Sequence, residues 1–217
     1  MSRLPKTPAA LRRLAVLAAV TLASLTLTGC ISLLPKSDPA QLYRFGFTPE
    51  TPTSASPATG GFGVLKPPAV FPREAASDRL LTTTGNEVAY VGVARWVAPA
   101  PVLFDQAVAA AFAADKGPAR LVMRGDPRRA DYTLRLDVRR FEARYAHGAK
   151  AAPDVIIVVD AVLQGTDRSP PRLQTFEVTV TASDNRVAAI VEAYNQGLAQ
   201  LLPQLAVWVD QAGPLKD

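Results

Sequence analysis

The alternation of apolar and polar positions is sharpest from Tyr132 to Val138. There Tyr132, Leu134, Leu136 and Val138 alternate with Thr133, Arg135, Asp137 and Arg139. A period of two predicts a half-buried strand with one wet face. The phase then slips, because the next apolar positions are Phe141, Ala143 and Tyr145. A slip of one residue turns every later side chain over, and a β-bulge near Arg139-Arg140 would absorb it. Val155 to Leu163 is almost continuously apolar, interrupted by Asp160, which predicts a central strand covered on both faces. After the turn Arg168-Ser169-Pro170-Pro171, alternation returns with Phe176, Val178 and Val180, a further half-exposed strand.

Two stretches repeat at helical spacing. From Pro99 to Ala114, residues Val102, Leu103, Ala107, Ala110 and Ala111 form one apolar stripe, and Gly117-Pro118 ends the element. In the second stretch, Val187, Ile190, Val191, Tyr194, Leu198, Leu201, Leu202, Leu205 and Trp208 share a face. Asp184 is the expected N-cap. Pro203 should kink or restart that helix, because proline removes an intrahelical hydrogen bond.

The first half of the chain is more broken. Leu42-Tyr43-Arg44-Phe45 alternates enough for a short strand. Phe62 to Phe71 reads as a first core strand, weakened by Pro67 and Pro68, and 73–80 as a brief helical turn. Leu80 to Thr83 and Val88 to Arg95 flank Gly85-Asn86, a hairpin signal. Ala119 to Met123 is a short strand that stops at Gly125-Asp126-Pro127. This order predicts an α/β fold, with α+β as the variant: one domain with a mixed sheet, antiparallel hairpins, packed helices and a long C-terminal helix.

Ahead of the domain the pattern changes kind. Arg3, Lys6, Arg12 and Arg13 precede an apolar run from Leu14 to Leu27, which ends in Leu27-Thr28-Gly29-Cys30. A basic start, a short apolar core and a small-residue cleavage site describe a signal peptide; the run is short for a spanning helix. The last four residues resemble the lipobox of bacterial lipoproteins. That resemblance implies cleavage between Gly29 and Cys30, a diacylglycerol on Cys30 and an N-acyl chain on its amine. Stable anchoring needs at least two acyl chains. An ordinary signal peptide with a structural cysteine is the alternative. Ile31 stands where an inner-membrane retention signal would carry Asp, which favours the outer membrane, facing the periplasm. The expected division is 1–29 signal peptide, 30–61 lipidated cysteine and Pro-rich tether, and 62–213 folded domain.

Removing the signal changes the charge balance. Four of the 24 basic residues lie in it, which leaves 20 against 19 acids. A near-neutral remainder lacks the basic surplus that nucleic-acid binding needs. The one cysteine is assigned to lipid, so no intrachain disulfide is expected.

Candidate catalytic sets are poor. The single histidine, His147, lies in the polar turn Ala146-His147-Gly148. With one histidine and no second cysteine, common zinc sites are hard to assemble, and no metal site is expected. Neither a Gly-x-Ser-x-Gly elbow nor a phosphate loop is present. Asp131, Asp137, Glu142 and Asp160 fall on strands, where Arg135 and Arg139 serve as simple ion-pair partners. The chain is expected not to be an enzyme.

Beyond the lipobox, the order of segments resembles the ABC-type transport auxiliary lipoproteins of the paraquat-inducible protein C type. The resemblance rests on Leu42-Tyr43-Arg44-Phe45, Gly85-Asn86-Glu87-Val88-Ala89-Tyr90 and Ala94-Arg95-Trp96-Val97-Ala98-Pro99. It continues through Ala130-Asp131-Tyr132-Thr133-Leu134, Phe141-Glu142-Ala143-Arg144-Tyr145 and the terminal helix. It implies an accessory role beside an ATPase, a permease and an Mce-domain (MlaD-like) protein that move phospholipid or other hydrophobic molecules between inner and outer membranes. No cofactor is implied beyond the acyl chains, and self-association is left open. Tyr90, Trp96 and Tyr145 are the partner-binding candidates, since aromatic residues are enriched at interface hot spots. Trp96 has a core position at the helix start as its alternative. Two other functions compete: an independent lipid-binding protein, and a structural envelope lipoprotein that binds peptidoglycan or an assembly complex.

Overall fold

The computed structural model describes residues 40–48, 61–123, 125–166 and 169–212. The signal peptide, Gly29 and Cys30 lie outside the described residues, as do 49–60 of the Pro-rich stretch. Ten elements follow in chain order: β1 (Gln41–Tyr43), β2 (Phe62–Leu65), β3 (Arg79–Thr84), β4 (Glu87–Trp96), α1 (Ala100–Ala114), β5 (Ala119–Leu121), β6 (Tyr132–Arg144), β7 (Asp154–Gly165), β8 (Arg172–Thr181) and α2 (Val187–Ala212). All eight strands form one mixed sheet, and the fold is the mixed α/β class expected.

β6 is the axis of that sheet. One of its sides pairs with β7 along its whole length, and β7 in turn pairs with β8, both antiparallel. On the other side it is shared. β2 pairs parallel to its first residues, and β3 pairs parallel to its last. β2 then carries β5, while β3 carries β4 and β4 carries β1. The expected bulge is present: Val138 faces Val159 and Arg140 faces Val158, so Arg139 is the extra residue. It holds Tyr132, Leu134, Leu136 and Val138 on the same buried face as Phe141 and Ala143.

Both helices cover that face, and α2 packs on β7 and β8. Its stripe is as expected, with Ile190, Val191, Tyr194, Leu198, Leu201, Leu202 and Leu205 buried. α2 runs unbroken through Pro203, which faces solvent. The helix starts at Val187, so Arg186 holds the cap position, and Asp184 pairs with the Arg186 guanidinium at 2.6 Å instead of capping. In α1 the buried face is rotated from the one expected. Phe104, Val108 and Phe112 join Leu103, Ala107 and Ala111, whereas Val102 is 45% exposed. A helix apolar on nearly every side does not mark its inner face by periodicity alone.

Two other expectations are revised. The strand from Phe62 ends at Leu65, and only a single bridge from Val70 to Asp137 returns to the sheet, because Pro67 and Pro68 cannot donate to a ladder. β7 is central, but its outer face is largely open; Val158, Asp160 and Val162 are half-exposed there, although Ile156 is buried. The short strand expected at Leu42-Tyr43-Arg44-Phe45 is present: β1 pairs with β4, and Phe45 is fully buried. The brief turn after Phe71 is present, with the Ala75 amide donating to the Pro72 carbonyl at 3.0 Å. The Gly85-Asn86 hairpin is present too; Gly85 sits at φ 57°, a left-handed conformation that glycine adopts without steric cost.

Candidate functional site

Trp96 is placed in the core. It is 2% exposed, and its ring meets Phe45 edge-on at 4.8 Å and Tyr194 at 5.4 Å. Phe141 completes the cluster, 5.0 Å from Phe45 and 4.7 Å from Tyr194. Such pairs contribute about 0.5–1.5 kcal/mol each beyond area burial. The partner-binding role considered for Trp96 is therefore corrected: its ring area is already used in joining β1, β4 and β6 to α2. Burial, and secondarily Glu142, push the Tyr194 phenol above its ordinary pKa, so it stays neutral.

Tyr145 and Tyr90 lie elsewhere. Tyr145 follows the last residue of β6 and is half-buried. Its amide donates to the Thr83 carbonyl at 2.8 Å and its hydroxyl to Asn185 Oδ1 at 2.7 Å. Asn185 donates onward to the Ala149 carbonyl at 3.0 Å. Tyr145 thus ties three segments together at one end of the sheet, and burial raises its pKa. Tyr90 is 38% exposed on β4. Its hydroxyl donates to the Glu74 carbonyl at 3.1 Å, and the Arg79 guanidinium lies 5.2 Å above its ring. Of the three aromatic candidates it alone presents substantial surface.

The sheet's other face, away from the helices, carries the strand carboxylates. Asp137 and Asp160 face each other across β6 and β7. Arg139, the bulge residue, reaches both, at 3.6 and 4.0 Å, and the Thr175 hydroxyl donates to Asp160 at 2.7 Å. Glu142 pairs with Arg140, and Asp131 accepts the Gly63 amide at 2.7 Å. These carboxylates are held as structural acceptors. Beside Asp137 and Asp160 lies a trough of about 480 Å³, whose apolar wall includes Val70, Val162 and Leu173. A second groove, of about 630 Å³, runs between α1, α2 and residues 44–48; there Asn195 Oδ1 accepts the Gly46 amide at 3.1 Å.

One carboxylate pair was missed from sequence. Asp210, near the end of α2, accepts the Ala119 amide at 2.8 Å and lies beside Asp115, just past the end of α1. Partial burial first, then Asp115, raise Asp210 to about 6, while the Ala119 amide and Arg120 work in the opposite direction. A Cβ on Gly117 would overlap the Asp210 carboxylate, so any larger residue there would displace that side chain. The pair locks the α1–β5 turn to α2. Residues 95 positions apart give no local signal of such a meeting. His147 lies exposed in its turn, ahead of Gly148 at φ 93°. Among the described residues no three His, Cys, Asp or Glu side chains gather as a metal site, and no helix is long and apolar enough to cross a membrane.

Residues 43–206 match the family of ABC-type transport auxiliary lipoprotein components. Among solved structures, the chain is similar to protein XCC0632 of Xanthomonas campestris, assigned to family DUF330. The two share 27% identity and superpose with a TM-score of 0.67, over 80% of this chain and 97% of that one. An uncharacterised protein shares the fold at 15% identity and a TM-score of 0.58, over 77% of this chain and 99% of its own. Among curated proteins no sequence match is found.

Proposed function

Since the chain belongs to the family of ABC-type transport auxiliary lipoprotein components, we propose that it is the lipid-anchored, non-catalytic accessory protein of an Mce-type transport system. In this reading Cys30 carries the acyl chains in the outer membrane and the domain faces the periplasm. An ATPase, a permease and an Mce-domain protein form the rest of the machine, which moves lipid or other hydrophobic molecules between the two membranes.

The family membership itself ties the chain to an ABC transport system and, as a lipoprotein component, to the cell envelope. The observation that carries the reading is the extent of the match, from Tyr43 in β1 to Ala206 in α2, which takes in nearly the whole fold. The open sheet supports a docking role. β8 pairs only with β7 among the described strands, so its outer edge is available to a partner strand. Its exposed Leu173 borders the trough on the same face.

The test is affinity purification of the full, acylated protein from detergent-solubilised envelopes. Co-purification of Mce-domain, permease and ATPase subunits is the expected result. Recovery of none of them, with peptidoglycan or an outer-membrane assembly complex crosslinked in their place, overturns it.

A further inference from the structure

The exposed apolar side chains of the domain are unevenly spread. Among the described residues eleven large ones are exposed, and five of these, Leu42, Val88, Tyr90, Val93 and Val97, belong to β1, β4 and the residue that follows β4. Register places them on one face. Ala94 and Trp96 are buried beneath the helices with their β1 partners Gln41 and Tyr43 alongside, so Leu42, Val93, Arg95 and Val97 point the other way. Nearer the hairpin turn the parity is reversed. Thr82 pairs with buried Ala143 on the helix side, so Tyr90 and Val88, the partners of Leu81 and Thr83, point outward; Leu81 itself is covered, whereas Tyr90 and Val88 are exposed. The register shift between Arg79 and Leu81 reconciles the two halves of β4. An irregular strand thus collects five apolar side chains on the outer face, where a regular one would send some of them inward.

That patch lies where the chain comes in from its N-terminal segment. β1 runs parallel to β4 with Gln41 beside Ala94, so Ala40 arrives next to Val93. From Cys30 to Ala40 is ten residues, a reach of at most about 35 Å even when fully extended. An anchor at Cys30 therefore keeps this corner near the bilayer. A contiguous exposed apolar patch marks a surface that meets a protein or a membrane, and here the short chain to Cys30 brings the membrane within reach. Tyr90, with the Arg79 guanidinium over its ring, combines an apolar body with a polar tip, which suits the headgroup level.

We propose that the outer face of the β1–β4 corner is the surface by which the domain rests on the bilayer that holds its anchor, with Val88, Tyr90 and Val93 at the headgroup–acyl boundary. The proposal rests on the lipoprotein reading of Cys30 and adds an orientation to it: the β1–β4 corner lies against the bilayer, and β8 with its trough, four strands further across the sheet, lies farther from it.

The experiment uses the full acylated protein in vesicles of phosphatidylethanolamine and phosphatidylglycerol. Val93→Cys supplies one free thiol, labelled with a polarity-sensitive fluorophore; Leu173→Cys, on the same face of the sheet at β8, is the reference. Acyl-brominated lipid is expected to quench the label at position 93 at least about threefold more than at 173, with a blue-shifted emission. Equal quenching at the two positions overturns the proposal. So does burial of the position-93 label in detergent without lipid as protein concentration rises, which would mark an interface between copies. Cys30→Ser reads the anchor separately. Its release to the soluble fraction supports the lipoprotein reading and its full retention in membranes defeats that reading, whatever the label at 93 reports.

Discussion

The two faces of the sheet follow different rules. The inner face, under α1 and α2, is a continuous apolar core: Leu134, Val138, Phe141, Ile157, Val159 and the aromatic cluster around Phe45. The outer face is half wet, with Thr, Arg, Asp and Glu at alternate positions, and exposed apolar side chains gather there at β1–β4 and near Leu173. Stability should therefore reside in the inner face and interaction in the outer one. Substitutions that separate the two can test that division.

The largest effect is expected at Phe45. Its side chain is fully buried and touches Trp96, Phe141 and Tyr194. Phe45→Ala removes that packing and leaves a cavity, at a cost of about 3–5 kcal/mol. Urea unfolding of the domain measures it. If Phe45→Ala costs under about 1 kcal/mol, residues 41–48 do not belong to the core. Next comes the ion pair beneath the β2–β3 connection. Lys66, nearly buried, contacts Asp105 of α1 at 2.5 Å, and Asp105 also accepts the Ala69 amide. Asp105→Ala strands the ammonium in a low-dielectric site and should cost about 3 kcal/mol. The double variant Asp105→Ala, Lys66→Met should recover much of it. No recovery would mean that Asp105 acts through the Ala69 amide alone.

How much of this was legible in the sequence depended on which face an element shows. Where one side of a strand is wet, as in β6, alternation located the strand, its buried residues and even the bulge at Arg139. Where a segment is apolar on every side, as in α1 and β7, the pattern could not say which side is covered; Val102 and Val162 were assigned inward on composition alone. Trp96 is a similar case. An aromatic residue before a helix is compatible with an interface or with a core, and only the convergence of β1, β4, β6 and α2 on it decides. The Asp115–Asp210 pair and the Lys66–Asp105 pair depend on tertiary meetings that no local pattern encodes. The gathering of Leu42, Val88, Tyr90 and Val93 on one face needed the register of β4.

The Asp115–Asp210 pair allows a smaller, pH-resolved test at the rim of the core. The folded pKa of Asp210, about 6, lies above that of a free aspartate, near 3.9. A folded state that binds the proton more tightly is favoured at low pH. The contribution is therefore fully present below about pH 4 and is lost as pH rises through 6. Asp210 is half-exposed, so solvent screening reduces the effect to about 1 kcal/mol. Asp210→Asn keeps an acceptor for the Ala119 amide and offers a donor to Asp115 at every pH. Its stability relative to the parent chain should rise by about that amount between pH 4.5 and pH 8, measured by urea unfolding at both values. A pH-independent difference would show that Asp210 takes up no proton in this range.

The smallest effect belongs to the outer face, and its smallness is the point. Asp137 and Asp160 oppose each other directly, an arrangement that costs stability unless a cation intervenes. Arg139 is that cation, available because the bulge leaves it unpaired in the ladder and turns its side chain over both carboxylates. All three side chains are exposed, so the net value of the arrangement is about 0.2–1 kcal/mol. Arg139→Gln should lower stability within that range at low salt. The loss should shrink as salt rises toward 0.5 M, where the screening length falls to about 4 Å. A salt-independent loss above about 2 kcal/mol would mean that Arg139 supports the fold as inner-face residues do. The division of labour between the two faces would then fail at the strand on which it is most plainly drawn.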